Sequence, residues 1–144
     1  MYQMFQRLSK LTPVTLTQRL SAVKTAENDW SFGKSEISGT GVFADRDFQP
    51  GELIDVAMFA SDKDEWGNQI WNLTLLSRYC NHSPENNARI ERSGDQFDLI
   101  ATKPIPADSE ITADYRQVTR AVGPDGRMQF EGQDVPTSDL SDYT

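Results

Sequence analysis

Cysteine and histidine are almost absent from this sequence, which has only Cys80 and His82 among its 144 residues. One residue of each type cannot form a disulfide bond or supply the ligands of a structural zinc site. We therefore expect no bound metal. The scarcity of cysteine also favours a reducing compartment, so we expect a cytoplasmic protein.

Long apolar runs are missing as well. No stretch approaches the ~20 consecutive apolar residues that a helix needs to cross a bilayer, so we expect no membrane contact. The first residues, 1–5, lack a basic region followed by an apolar run, and no secretory signal is visible. No dense cluster of lysine and arginine indicates nuclear import either.

Basic residues are outnumbered, with 14 lysines and arginines against 22 acidic residues and a formal net charge of −8. A nucleic-acid-binding surface needs a basic footprint, so the composition argues against direct binding of nucleic acid. An acidic surface would attract a basic partner such as a lysine-rich protein tail. The same acidity would equally serve to keep a protein soluble.

The chain is long enough for one domain, and its character changes at Trp30. From there, short β-like runs alternate with turn residues, which predicts a mainly β fold. We divide the chain into an N-terminal extension with two short helices (1–28), the domain (29–117) and a C-terminal extension (118–144). Residues after 116 are rich in Gly, Pro, Asp and Ser, so we expect irregular structure there, with a mobile end.

Local patterns place the elements inside the domain. Strands are predicted over 42–44, 53–59, 97–101 and 110–115. Pro50 and Gly51 occupy the middle of a four-residue segment that favours a type II turn. A polar loop over 61–68 and a short helix over 70–79 complete the predicted elements.

One spacing of apolar residues occurs twice, and each copy encloses a turn-prone pair, Pro50-Gly51 and Ala107-Asp108. Two units of strand, tight corner and strand predict a folded-over β architecture. The repeated residues are Ala44, Phe48 and Ile54 in the first unit, and Ala101, Ile105 and Ile111 in the second.

Three segments carry residues suited to chemistry: Ser38–Ala44 (SGTGVFA), Arg78–Ser83 (RYCNHS) and Glu110–Tyr115 (EITADY). Glycines without a Cβ let the backbone bend sharply and approach a ligand closely. The amide of Asn81 can both donate and accept hydrogen bonds. Taken singly, each segment also fits an ordinary hairpin, a structural histidine or an edge tyrosine.

In order and spacing, these three segments resemble the SET-domain family of protein-lysine methyltransferases over about residues 30 to 116. The resemblance implies a β-clip fold, with small curved sheets, a few short helices and a threaded C-terminal segment. It implies S-adenosyl-L-methionine as cofactor and methyl transfer to the ε-amine of a lysine in a basic protein, such as a histone or ribosomal protein. The chain has none of the zinc-binding cysteine clusters that often flank the family's domain, and in this it resembles minimal viral or bacterial members. A viral source would place it in the host-cell cytoplasm.

The same resemblance assigns the site residues. Tyr115 is implied as the catalytic residue and as part of the cofactor site. Asn81 would hold the amino end of the cofactor, and His82 would meet adenine through its backbone. Five further residues would contact or support the methionine part, namely Gly39, Thr40, Gly41, Arg78 and Tyr79.

A lysine channel needs aromatic walls, and four residues are candidates: Phe59, Trp66, Trp71 and Phe130. Each of them, taken singly, is more often a core or loop anchor. A cap over the channel would have to come from residues 116–144, with Val118, Val122, Met128 and Phe130 as candidates. The family's middle tyrosine motif has no clear equivalent between Ile54 and Ile70, so the sequence leaves the number of methyl groups added open.

Two other functions remain open at this stage. The chain could be a non-catalytic β-clip binding module that keeps the scaffold, or a small interaction protein whose acidic surface blocks a basic partner. The coexistence of Asn81, His82 and Tyr115 favours the enzyme, because a bare scaffold does not need all three. The sequence indicates neither the substrate nor the oligomeric state.

Overall fold

The structure is a computed structural model that describes residues 28–135. Both helices predicted near the N-terminus and the predicted mobile C-terminal end lie outside the described residues. Within that range the expected mainly β fold, with small sheets and few helices, is confirmed. Threading of the C-terminal segment stays a prediction, and so does the division into three parts.

Ten strands and two helices make up the described part of the chain. The strands are β1 (Trp30–Lys34), β2 (Thr40–Ala44), β3 (Leu53–Lys63), β4 (Gln69–Leu73), β5 (Asn81–His82), β6 (Ala88–Ser93), β7 (Gln96–Ala101), β8 (Glu110–Ala113), β9 (Arg127–Phe130) and β10 (Gln133–Val135). The helices are α1 (Leu75–Tyr79) and α2 (Tyr115–Val122). Neither is long and apolar enough to span a membrane.

Two sheets organise these strands. A four-stranded sheet has the order β1-β2-β8-β5, with β8 antiparallel to β2 and parallel to β5. A six-stranded sheet has the order β10-β9-β4-β3-β7-β6. Alternation along β7 buries Phe97, Leu99 and Ala101, since successive side chains of a strand point to opposite faces. These residues join one apolar core with residues of both sheets and both helices.

The repeated spacing of apolar residues corresponds to a structural repeat, which confirms the predicted folded-over architecture. Phe48 and Ile105 exchange two backbone hydrogen bonds of 2.9 Å across the centre of the repeat. On one side Gly51 N donates to Ala101 O (2.8 Å), and on the other Asp108 N donates to Ala44 O (2.7 Å). The two corners therefore make equivalent contacts in opposite directions.

Both corners also share a backbone conformation. Gly51 has φ of 89° and Asp108, the residue at the equivalent position, has φ of 71°. At the first corner Glu52 N donates to Gln49 O (3.1 Å), so the predicted type II turn is confirmed. Left-handed geometry at the third turn position is why glycine suits position 51.

Two predicted elements in the middle of the chain are shorter than expected. Strand β3 continues to Lys63, so the loop expected over 61–68 shrinks to a turn in which Asp64 Oδ1 accepts from Trp66 N (2.9 Å) and Asn68 N (2.8 Å). The helix predicted over 70–79 is confirmed only in its second half, as α1, because the first half belongs to β4. Thr74 ends β4 and caps α1, since its hydroxyl accepts from Ser77 N at 3.3 Å.

Residues from 115 onward also differ from the prediction. Tyr115 begins α2 rather than ending a strand, because the Asp114 side chain caps the helix by accepting from Arg116 N (3.0 Å). Residues 116–135, expected to be irregular, contain most of that helix and two strands. Strand β9 pairs in parallel with β4, a partner more than fifty residues away that no local pattern indicates.

Gly51→Ala should reduce the free energy of unfolding by about 1–2 kcal/mol, because an alanine Cβ is strained at positive φ. Nothing lies within 4 Å of a Cβ built at this glycine, so the loss would come from the backbone alone. Gly51→Asn is the matched variant and should lose less, since asparagine tolerates this conformation better. Urea unfolding measures both, and equal losses for the two variants would contradict this explanation.

Candidate active site

Strand pairing brings the second and third motifs side by side. Helix α1 ends at Tyr79, and Cys80 turns the chain into the extended backbone of β5. Because β5 runs parallel to β8, Asn81 lies beside Thr112 and His82 beside Ala113. This pairing brings Asn81 and His82 beside the end of β8, where the chain is about to enter α2.

The side chain of Asn81 connects these strands to the turn formed by residues 38–41, which we call the glycine turn. Its Nδ2 lies 3.0 Å from each of three oxygens: Ser38 O, Ser35 Oγ and Glu110 Oε2. The residue is only 3% exposed. A buried amide with three acceptors around its nitrogen holds all three motifs together. We call Ser35, Ser38, Asn81 and Glu110 the amide cluster.

Glu110 was missed as a site residue at the sequence level. Its carboxylate accepts from Ser35 Oγ (2.8 and 2.9 Å to the two oxygens), and Ser35 Oγ also accepts from Ile37 N and Ser38 N. A Cβ added to Gly41 would overlap the Glu110 carboxylate. Gly41 therefore leaves room for the carboxylate in the position where Ser35 and Asn81 hold it. Its partners are far away in sequence, so no local pattern could have indicated it.

Asn87 fixes strand β8 from the other side. Its Nδ2 donates to Glu110 O (2.9 Å), and its Oδ1 accepts from Thr112 N (2.9 Å). Asn87 thus occupies both hydrogen-bonding groups of its amide with the backbone of β8. It positions the strand that carries Glu110 and leads to Tyr115.

His82 holds the backbone of Tyr115. Tyr115 N donates to His82 Nδ1 at 3.0 Å, which requires an unprotonated Nδ1. Burial lowers the pKa of His82, and Arg116 lowers it too, whereas Asp114, 3.9 Å away, opposes the shift. Hydrogen bonds from the Arg116 guanidinium, first of all, lower the pKa of Asp114. The imidazole is therefore neutral at physiological pH.

The phenol of Tyr115 makes a second contact, with the segment that joins α1 to β5. Its hydroxyl donates to Cys80 O at 2.8 Å, and the residue is 7% exposed. Burial raises the pKa of the Cys80 thiol to about 12, so this thiol is neutral and a poor nucleophile. Of the two groups, the phenol is the one suited to orient a reactant.

An apolar cavity of about 30 Å³ adjoins Tyr115. Its walls are mainly aliphatic and come from both sheets and both helices. Val118, one of the residues expected to cap a channel, lines it. The main apolar lining residues are Met58, Leu73, Ile90, Leu99, Ala113 and Val118. This narrow apolar space has room for only part of an alkyl chain with an amine at its end.

None of the four aromatic residues predicted to form a channel lines this cavity. Phe59 and Trp66 are 46% and 74% exposed. Trp71 is buried against Phe97, with 5.0 Å between ring centroids. Phe130 is buried too, and its ring centroid lies 5.8 Å from the Arg78 guanidinium carbon. A contact of these residues with a substrate stays a prediction.

Arg78 and Tyr79, predicted to support the cofactor, are both buried in the core. The Tyr79 ring packs against Phe32 with 4.9 Å between centroids. In the glycine turn, Gly39 has φ of 43°, and Thr40 pairs with Lys34 across the first hairpin. The structure therefore brings together the glycine turn, Asn81, His82 and Tyr115. Within residues 28–135 no group of three metal-ligating side chains occurs.

Comparison with known proteins agrees with this geometry. The SET-domain family profile matches residues 55–116, which include the whole of the second and third motifs. A crystal structure of a candidate histone methyltransferase from Plasmodium falciparum has the same fold, with a TM-score of 0.50 and 18% identity over 61% of this chain and 93% of that chain. No curated protein sequence matches. Residues 55–116 are therefore similar to the SET-domain family, and this similarity supports a methyltransferase-type function.

The His82–Tyr115 contact predicts a pH dependence of stability. The unfolded chain takes up a proton on histidine near its ordinary pKa of ~6.5, whereas the lowered pKa of folded His82 resists it. Stability should therefore be complete above pH ~6.5 and fall as the pH drops below that value. Thermal unfolding between pH 7.5 and 5.5 measures this fall.

His82→Asn provides the matched control, because it retains an acceptor near the position of Nδ1 without titrating. Since His82 is the only histidine, this variant should show a flat melting temperature across the same window. An unchanged slope in His82→Asn would contradict the assignment.

Proposed function

We propose that the protein transfers a methyl group from S-adenosyl-L-methionine to the ε-amine of a lysine in a protein substrate. The observation that carries this proposal is the convergence of the amide cluster, the His82–Tyr115 contact and an apolar cavity at one strand junction. The reaction needs a cofactor site, a group that orients the reactants and a space for the substrate side chain. We assign these three roles to neighbouring parts of the fold.

The residues of the amide cluster fit the amino end of this cofactor. Asn81 Nδ2 is occupied by the cluster, so the amide's oxygen is the group left to accept from an ammonium. Gly39 and Gly41 offer backbone without side chains beside it, and the backbone of His82 would meet adenine. When bound, the cofactor supplies an electrophilic methyl group on a positively charged sulfur.

Tyr115 acts by orientation. Its backbone is held by His82 and its hydroxyl by Cys80 O, so the ring has little freedom to move. The phenol oxygen can still accept a hydrogen bond from an amine through its lone pairs. Fixing a nucleophile in line with its target contributes up to ~7–11 kcal/mol to catalysis, which makes orientation a sufficient source of rate.

The apolar cavity favours the reactive form of the substrate amine. A lysine in water has a pKa of ~10.4, so nearly all of it is protonated at neutral pH and cannot attack. Burial among Met58, Leu73 and Leu99 disfavours the charged form. The aliphatic walls thus contribute to catalysis without any reactive group of their own.

A basic protein is the partner that the charge of the chain supports. The excess of 22 acidic over 14 basic residues would steer a histone, a ribosomal protein or another lysine-rich protein towards the molecule. Incubation with tritiated S-adenosyl-L-methionine and either core histones or purified ribosomal proteins tests this substrate class. Mass spectrometry should locate the label on lysine side chains.

Tyr115→Phe should leave the affinity for S-adenosyl-L-methionine nearly unchanged and lower turnover on the order of 100-fold, because the reacting groups lose their alignment. Calorimetry and single-turnover kinetics separate the two effects. Loss of the hydrogen bond to Cys80 O should cost only about 1 kcal/mol of stability, which thermal unfolding checks.

Near-normal turnover in Tyr115→Phe would remove the phenol from the mechanism. A wild-type protein that binds no cofactor would instead favour the alternative, a non-catalytic binding module on the same scaffold.

A further inference from the structure

We propose that Glu110 is a positioning residue for the ammonium group of the cofactor, acting through the orientation and charge of the amide cluster. This inference rests on the proposed function, since it assigns a residue to the binding of S-adenosyl-L-methionine. It concerns a residue of the third motif to which the resemblance assigned no role.

The first step is the orientation of the Asn81 amide. An asparagine amide presents either two N–H donors or one oxygen acceptor to a given neighbour, and rotation by half a turn exchanges them. The side facing Glu110 meets a carboxylate oxygen, a backbone carbonyl oxygen and the Ser35 hydroxyl, all at 3.0 Å. The carboxylate of Glu110 and the carbonyl of Ser38 can only accept, so together they force the Nδ2 side of the amide to face them.

The second step concerns the other half of that amide. With Nδ2 committed, Oδ1 is the group of the amide that remains to accept a hydrogen bond from a ligand. Asn81 is only 3% exposed, and a hydrogen bond made away from bulk water is stronger than one at an open surface. A ligand that brings a donor to this oxygen therefore gains more than a hydrogen bond at the surface would give.

The third step is charge. An ammonium accepted by Asn81 Oδ1 would stand close to the carboxylate that holds Nδ2, in a poorly solvated corner of the fold. Opposite charges attract more strongly there than in water. Glu110 therefore favours a cationic donor over a neutral one, which selects the amino-acid end of the cofactor and not its nucleoside.

The surrounding sequence preserves room for this carboxylate. Gly41 lacks the Cβ that would overlap it, and Ser35 donates a hydrogen bond to it from the turn on the other side. The glycine turn thus accommodates the Glu110 carboxylate, and the carboxylate in turn holds residues next to that turn. This explains why a charged side chain is kept beside the backbone that is expected to meet the cofactor.

The experiment compares two ligands that differ in the group concerned. S-adenosyl-L-methionine carries the ammonium, whereas 5′-methylthioadenosine keeps the nucleoside and lacks the amino-acid part. Calorimetry should show that Glu110→Gln weakens binding of S-adenosyl-L-methionine by at least about tenfold. Binding of 5′-methylthioadenosine should stay within about twofold of that of the wild type.

Glu65→Gln is the matched control, because it removes the same charge at an exposed position of the β3–β4 turn and should change neither affinity. If Glu110→Gln does not fold, Ser35→Ala weakens the hold on the carboxylate and should show the same ligand preference in smaller measure. Thermal unfolding of each variant establishes that it is folded.

The outcomes separate this inference from the proposed function. Equal weakening for both ligands would mean that Glu110 only supports the fold, and no weakening for either would mean that it has no part in binding. Either result overturns the inference while leaving the cofactor site in place. A wild-type protein that binds neither ligand would overturn the proposed function itself.

Discussion

The pairing of β8 with two partners is the constraint on which the site depends. This strand joins β2 on one side and β5 on the other, so the glycine turn and the Asn-His pair are held at a fixed distance across it. At one end of β8 stands Glu110, which gathers the amide cluster. At the other end the chain enters α2, whose first residue is Tyr115. A slip of one residue in this strand would reverse the faces of both ends.

Buried polar contacts do most of the positioning, and they are mutually dependent. Asn81, Ser35 and Glu110 satisfy one another, whereas Asn87 satisfies the backbone of β8 with both halves of its amide. Networks of this kind fix one arrangement when complete and are costly when a member is lost. His82 adds the same type of contact to the start of α2 with a neutral imidazole. Orientation in this site is thus specified by hydrogen bonds, and the apolar core supplies the stability.

Patterns within short stretches of sequence predicted much of this arrangement. The matched spacing around Phe48 and Ile105 indicated two corners, and the three motifs indicated which residues would meet. What the sequence could not indicate depends on partners distant along the chain. The side chain beside Gly41 is a carboxylate almost seventy positions later. Strand β9 could not be predicted because it forms by pairing with β4, which is distant in sequence. The burial of the aromatic residues could not be predicted for a related reason, because an exposed Trp66 and a buried Trp71 look alike in the sequence.

A crystal structure of the protein with S-adenosyl-L-homocysteine would test the central claim most directly. That claim is that one ligand joins the glycine turn, Asn81 and the cavity beside Tyr115. We predict an amino group within hydrogen-bond distance of Asn81 Oδ1 and a sulfur atom facing the phenol. A ligand bound elsewhere on the surface, or one whose amino-acid part points away from the amide cluster, would contradict the account.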